Sequence, residues 1–193
     1  MGLEQAWRRR LSPGGCTCGT VDIHCHVVPH DFPPFSRGPT PDAWPSMVAA
    51  GGCQRTVVVN GRNYRTVNDA CWSVARRLED MDRMGISLQA LSPMPELFSY
   101  WMDAEAADDL LRYVNDTIAA MTEEGQGRLV GLGAVALQDL DRAMTELRRM
   151  MQELGFAGVE IGSNVNGVAI GDQRFWPFFE EAERLGAAVF VHA

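Results

Sequence analysis

Lysine is absent from the 193 residues, and all 17 basic side chains are arginine. Neither a Schiff-base lysine nor a carboxylated lysine bridging two metals can therefore be built from this chain. Basic charge is in deficit: 25 acids outweigh the arginines and leave a formal net charge of −8, which repels a nucleic acid and favours a small-molecule or protein partner. No apolar run approaches the roughly 18 to 20 residues of a membrane span, so no membrane-spanning helix is expected. Neither a low-complexity tract nor a repeat of fixed period is present. The five cysteines are an odd number in a chain of this length, which argues against a disulfide framework and for a reducing cytoplasm. Residues 1–20 read as a loose tail, because the Leu-Ser-Pro-Gly-Gly after Arg8-Arg9-Arg10 is no apolar signal core. Cys16 and Cys18 at its end could hold a metal, yet no second pair at ligand spacing answers them.

What is present, from residue 21 to 193, is alternation. Short runs rich in valine and isoleucine predict strands over 21–27, 86–91, 129–136, 158–161 and 187–192. Longer amphipathic stretches separate them. Leu140, Ala143, Met144, Leu147, Met150, Met151 and Leu154 recur at three-four spacing on one helical face, and Gly155 ends that helix. Further helices are predicted over 71–84, over 104–124, and from an N-cap at Asp172 to Gly186, with Pro177 in the first turns, where its missing N–H is harmless. Successive βα units of this kind predict a parallel sheet in an α/β fold. The chain is shorter than the roughly 250 residues of an eight-stranded barrel, so an incomplete barrel is expected, with about five of eight βα units. Six prolines from Pro29 to Pro45 break the rhythm, and a small hairpin is expected as an insertion near residues 46–67.

The four histidines, His24, His26, His30 and His192, carry the chemical signal. In Val-Asp-Ile-His-Cys-His a period of two puts Asp22, His24 and His26 on one face of the first strand and Val21, Ile23, Cys25 and Val27 on the other. With the apolar set under the helices, both imidazoles point inward near the strand's C-terminal end. His192 ends another strand at the same mouth, where barrel enzymes keep their active sites. Three imidazoles aimed at one spot suit a divalent cation such as zinc; the alternative is a set of hydrogen-bonded core histidines. His30 follows Pro29 in a loop and reads as solvated. Glu160 alternates with Val159 and Ile161, so an inward carboxylate is expected that either bridges a second metal or pairs with an arginine; with no lysine and no second ligand set in the sequence, a single metal is expected.

An ordered set of motifs runs through the chain: Asp22-Ile-His-Cys-His26 with Pro29, Tyr64-Arg65 before Cys71-Trp72, Met81-Asp82 with Gly85, Gln89-Ala-Leu-Ser92, Phe98-Ser-Tyr-Trp101, Gly131-Leu-Gly133, Leu154-Gly155 with Gly158, Ile161-Gly162, Val165-Asn166, and Ala182-Glu-Arg-Leu185 leading to Phe190-Val-His192. In these the chain resembles the metal-dependent amidohydrolase superfamily, in the branch of non-hydrolytic decarboxylases typified by 2-amino-3-carboxymuconate-6-semialdehyde decarboxylase. The resemblance implies a TIM-barrel-like fold of which residues 21–193 are the N-terminal part. It implies a single zinc, or another divalent metal, held by His24, His26, His192 and an aspartate near an eighth strand.

By the same resemblance a zinc-activated water would attack an unsaturated carbon of a small-molecule carboxylate substrate, whose carboxylate then leaves as carbon dioxide. A histidine after a sixth strand would move the proton, and Arg65 would grip a substrate carboxylate with its planar fork. Neither that histidine nor the aspartate is found before Ala193, so the chain alone is expected to bind metal weakly and to be inactive. Phe98, Tyr100 and Trp101 either wall the pocket or pack in the core. Where related decarboxylases often carry glutamine this chain has Glu160, which keeps a hydrolase or hydratase open as the alternative activity. Members of the family commonly form homodimers.

Overall fold

The computed structural model describes residues 19–38 and 44–193; Cys16, Cys18 and nearly all of the expected tail lie outside them. In chain order the elements are β1 (Thr20–Val27), β2 (Ser46–Ala49), β3 (Gln54–Val59), β4 (Arg62–Asn68), α1 (Val74–Met84), β5 (Ile86–Pro93), α2 (Ala104–Glu124), β6 (Leu129–Gly133), α3 (Leu140–Gln152), β7 (Gly158–Gly162), β8 (Asn164–Val165), β9 (Val168–Ala169), α4 (Trp176–Leu185) and β10 (Ala188–His192). Local chemistry sets their ends. Ser73, Asp103 and Asp139 accept backbone N–H bonds at the starts of α1, α2 and α3, and Gly85 and Gly186 take the left-handed conformation that stops α1 and α4.

Five strands form one parallel sheet in the order β1-β5-β6-β7-β10. In a flat sheet its edges would stand four spacings apart, about 19 Å. The rings of His24 on β1 and His192 on β10 nevertheless lie 5.1 Å apart, centre to centre. The sheet is therefore curled into a half-barrel, its concave face carrying the histidines and its helices outside. Helix α2 packs over β5 and β6, α3 over β7, and α4 against α3, with Leu110, Leu111, Ile118, Leu147, Met150 and Phe178 fully buried.

Four expectations are corrected by this structure. The insertion is not a single hairpin but a three-stranded antiparallel sheet, β2-β3-β4. The third parallel strand stops at Gly133 rather than reaching residue 136, because residues 134–137 turn through the core toward the Asp139 cap. Helix α1 begins at Val74, since a 3-10 turn over Asp69–Cys71 and the Ser73 cap hold residues 69–73 outside it. Finally, the outer face of β1 is half open: Val27 is buried, but Val21 and Ile23 are 51% and 59% exposed. The helix that follows β1 is displaced one strand along and packs on β5, so no described helix covers the start of β1.

Gly133 shows how closely the helices approach the sheet. A Cβ there would stand 2.7 Å from the Asn115 Oδ1 and also strike Met150. Gly133→Ala is expected to destabilise the protein by about 1–3 kcal/mol, read from the urea midpoint.

Candidate metal centre

At the mouth of the half-barrel three strands converge. Nitrogen donors of His24 and His26 from β1 and His192 from β10, with a carboxylate oxygen of Glu160 from β7, all lie within 4.8 Å of one another. Parallel pairing explains the grouping: Glu160 is in register with Phe190, and His192 is two residues further along the same face of β10. The three expected histidines are thus brought together. His30 is not among them; it is half exposed, bonded to Asp31 and packed edge-on to Trp72.

The ring orientations suit metal binding. His26 Nδ1 donates to the Pro93 carbonyl at 3.1 Å, which leaves its Nε2 lone pair free. His192 Nδ1 is likewise 2.9 Å from the Ala193 carbonyl oxygen. Burial, then the neighbouring His24 and His192, pull the His26 pKa down to about 4, against the Pro93 bond that raises it. That imidazole is neutral at physiological pH, as a ligand must be.

Glu160 is fully buried, and neither of its carboxylate oxygens has a hydrogen-bond partner among the described residues. The expected arginine pairing is absent, because no described arginine comes within ion-pair distance of it. Burial raises its pKa, with the nearby Ser92 hydroxyl and then His192 acting in the opposite sense; the Ser92 hydroxyl itself donates to the Cys25 carbonyl at 3.3 Å. A buried carboxylate beside three imidazoles is a group that could hold a divalent cation. A tetrahedral ion would draw the donors to about 3.4 Å from one another, a contraction that side-chain torsions accommodate.

A hydrogen-bond chain positions the His-x-His strand. Asp22 Oδ1 accepts from the His24 backbone N–H at 3.1 Å and Asp22 Oδ2 from Gln89 Nε2 at 3.0 Å, while Arg77 donates to Gln89 Oε1 at 3.2 Å and to the His26 carbonyl at 3.0 Å. Sequence reasoning missed Arg77, which looks like any solvated helix charge but is buried, and gave Gln89 no role. Cys25 donates its thiol proton to the Ala90 carbonyl, and burial pushes its pKa up to about 12, so it offers no thiolate.

The inserted sheet supplies the outer wall. A bulge at Tyr64 shifts the pairing so that Arg62 stands opposite Val59 and Arg65 opposite Val57, which puts both guanidinium groups on one face. Arg65 packs over the Tyr64 ring and is near enough to His26 to disfavour its protonation. A cavity of about 600 Å³ opens beside it between Arg62, Tyr64, Glu96 and Trp101. Tyr64 donates its hydroxyl to Glu96, whose second oxygen is buried without a partner, a feature that the sequence did not signal. The two readings of the aromatic trio divide: Phe98 and Tyr100 are core, whereas Trp101 is exposed on the cavity.

The amidohydrolase family model matches residues 21–193. The chain is 37% identical over 172 residues to 2-amino-3-carboxymuconate-6-semialdehyde decarboxylase of Dictyostelium discoideum, covering 89% of this chain and 48% of that protein. The chain thus spans about half the length of the curated relatives it matches over most of its own length. Among solved structures, 5-carboxyvanillate decarboxylase of Novosphingobium aromaticivorans, complexed with manganese and 4-hydroxy-3-methoxy-5-nitrobenzoic acid, aligns with a TM-score of 0.61 and 29% identity over 64% of this chain and 36% of that one. The IDCase of Metarhizium anisopliae shares the fold with a TM-score of 0.72 at 19% identity, over 94% of this chain and 52% of that one. With its strand order, its histidines at the strand ends and a family match across nearly its whole length, the chain belongs to the amidohydrolase family.

Proposed function

We propose that the protein is a metal-dependent, non-hydrolytic decarboxylase of an unsaturated or aromatic carboxylic acid, with 2-amino-3-carboxymuconate semialdehyde as the nearest substrate type. The observation that carries this reading is the convergence of His24, His26 and His192 from opposite edges of the sheet on one point. These histidines would hold a divalent ion, zinc in the first instance, which when bound acts as a Lewis acid and lowers the pKa of water. Arg65 binds a substrate carboxylate through paired N–H donors and orients the carbon that loses carbon dioxide toward the imidazoles. The cavity beside it, walled by Trp101 and Tyr64, accepts the planar remainder of the substrate. Among the described residues no further imidazole faces the centre, so the 193-residue polypeptide alone is expected to release no carbon dioxide. A cytoplasmic, dimeric enzyme fits the odd cysteine count and the family's habit.

The hydrolase or hydratase alternative is not favoured, because the matched curated relatives and several of the matched solved structures are decarboxylases. The test is carbon dioxide release by the full-length gene product with added zinc or manganese, set against hydrolysis or hydration of the same acids. Water addition or amide cleavage without carbon dioxide release would reject the proposal. Arg65→Ala is expected to raise KM by about tenfold or more with a smaller change in kcat, and Arg65→Lys to restore only part of the loss, since a point charge does not reproduce the fork.

A further inference from the structure

We propose that Glu96 is a specificity-determining residue, which accepts a hydrogen bond from an N–H or O–H substituent of the acid bound in the cavity. The inference rests on the decarboxylase reading above and deepens it: the substrate carries a donor group besides the carboxylate that Arg65 holds. Glu96 stands in a 3-10 turn over Pro95–Phe98, just after β5. The core fixes this turn. Leu97 and Phe98 are buried, the Leu97 N–H donates to the Met94 carbonyl at 2.8 Å, and the Met94 N–H donates to the Val27 carbonyl of β1 at 3.1 Å. The Glu96 side chain is left to line the cavity of about 600 Å³, with Arg62, Tyr64 and Trp101.

Its carboxyl group is only half satisfied. Tyr64 donates its hydroxyl to Oε1, whereas Oε2 is shielded from solvent and has no hydrogen-bond partner among the described residues. Arg62 lines the same cavity, yet no described arginine lies within ion-pair distance of Glu96. Burial raises the Glu96 pKa, against its own backbone N–H and His192, as for an anion short of donors. The terminal torsion of a carboxylate is broad and two-fold, so a small rotation exchanges the oxygens and presents the free acceptor to the cavity. An amino or hydroxyl group on the ligand then pairs with it. An apolar group at the same point leaves a desolvated carboxylate unpaired, and that penalty, more than the attraction, discriminates between the two ligands.

Isothermal titration calorimetry of the full-length gene product loaded with manganese tests this without turnover. Aminobenzoates and hydroxybenzoates are compared with the toluates of the same substitution pattern. In the parent at least one amino- or hydroxybenzoate should bind about tenfold or more tighter than its matching toluate, and which of the two does so identifies the donor. Glu96→Ala should bring that ratio close to one at unchanged manganese content, and Glu96→Gln, which keeps the shape and one acceptor oxygen, should retain part of it. Equal or undetectable affinities across the matched pairs in the parent, or a ratio that survives in Glu96→Ala, would overturn the inference and leave Glu96 as a wall group kept protonated by its burial. The ratio is read from binding and the decarboxylase reading from carbon dioxide release, so the failure of either is seen by itself.

Discussion

Glu146→Ala is expected to cost the fold about 3–5 kcal/mol, measured as a fall in the urea midpoint at unchanged slope. Glu146 lies on α3 with its side chain 1% exposed and is bonded on every side. Arg112 and Arg149 donate to Oε2 at 2.7 and 2.8 Å, and Arg149 and Asn115 donate to Oε1 at 2.7 and 2.9 Å. Asn115 in turn bonds both the N–H and the carbonyl of Ala134, at 3.0 and 2.9 Å, beyond the end of β6. One carboxylate therefore ties α2 and α3 to the point where the sheet turns toward the next unit. Truncating it leaves the Nε and Nη2 of a largely buried arginine and one buried amide N–H without an acceptor, and that loss exceeds what the pair contributes net. Asp116, the other partner of Arg149, is well exposed, and Asp116→Ala should change stability by no more than about 0.5–1 kcal/mol. Equal losses from the two variants would mean that the buried position of Glu146 does not matter.

Replacing both His24 and His26 with alanine is expected to remove bound metal from the full-length protein and to lower carbon dioxide release by about a thousandfold or more. Both donors come from β1, and the Asp22-Gln89-Arg77 chain holds the strand that carries them. Among the described residues what remains is His192 and Glu160, on neighbouring strands, too few to retain an ion against dilution. Fold stability should change little, because His24 is exposed and His26 only part-buried, and their removal empties space that already faces solvent. Metal content is read by elemental analysis after gel filtration, and folding by circular dichroism. Full metal content in the double variant would remove the basis of the site assignment, whatever the activity.

The sequence alone determined the elements and the imidazoles. Period-two alternation in β1, the three-four stripe of α3 and the glycine that ends α4 are local properties of the backbone, so they are legible wherever they occur. His24, His26 and His192 were legible because a histidine at a strand's C-terminal end sits at the mouth of any parallel sheet with helical crossovers. Only the tertiary structure decided what lies between distant segments. Whether Glu160 meets an arginine or the imidazoles depends on the curl of the sheet and the register of β7 with β10, which no run of residues encodes. The same holds for Arg77, an ordinary helix arginine until its helix is laid on β5, and for the bulge at Tyr64 that turns Arg62 and Arg65 to one face. Burial converts these side chains from solvated charges into groups that must find a partner, and burial is a property of the packed chain, not of its order.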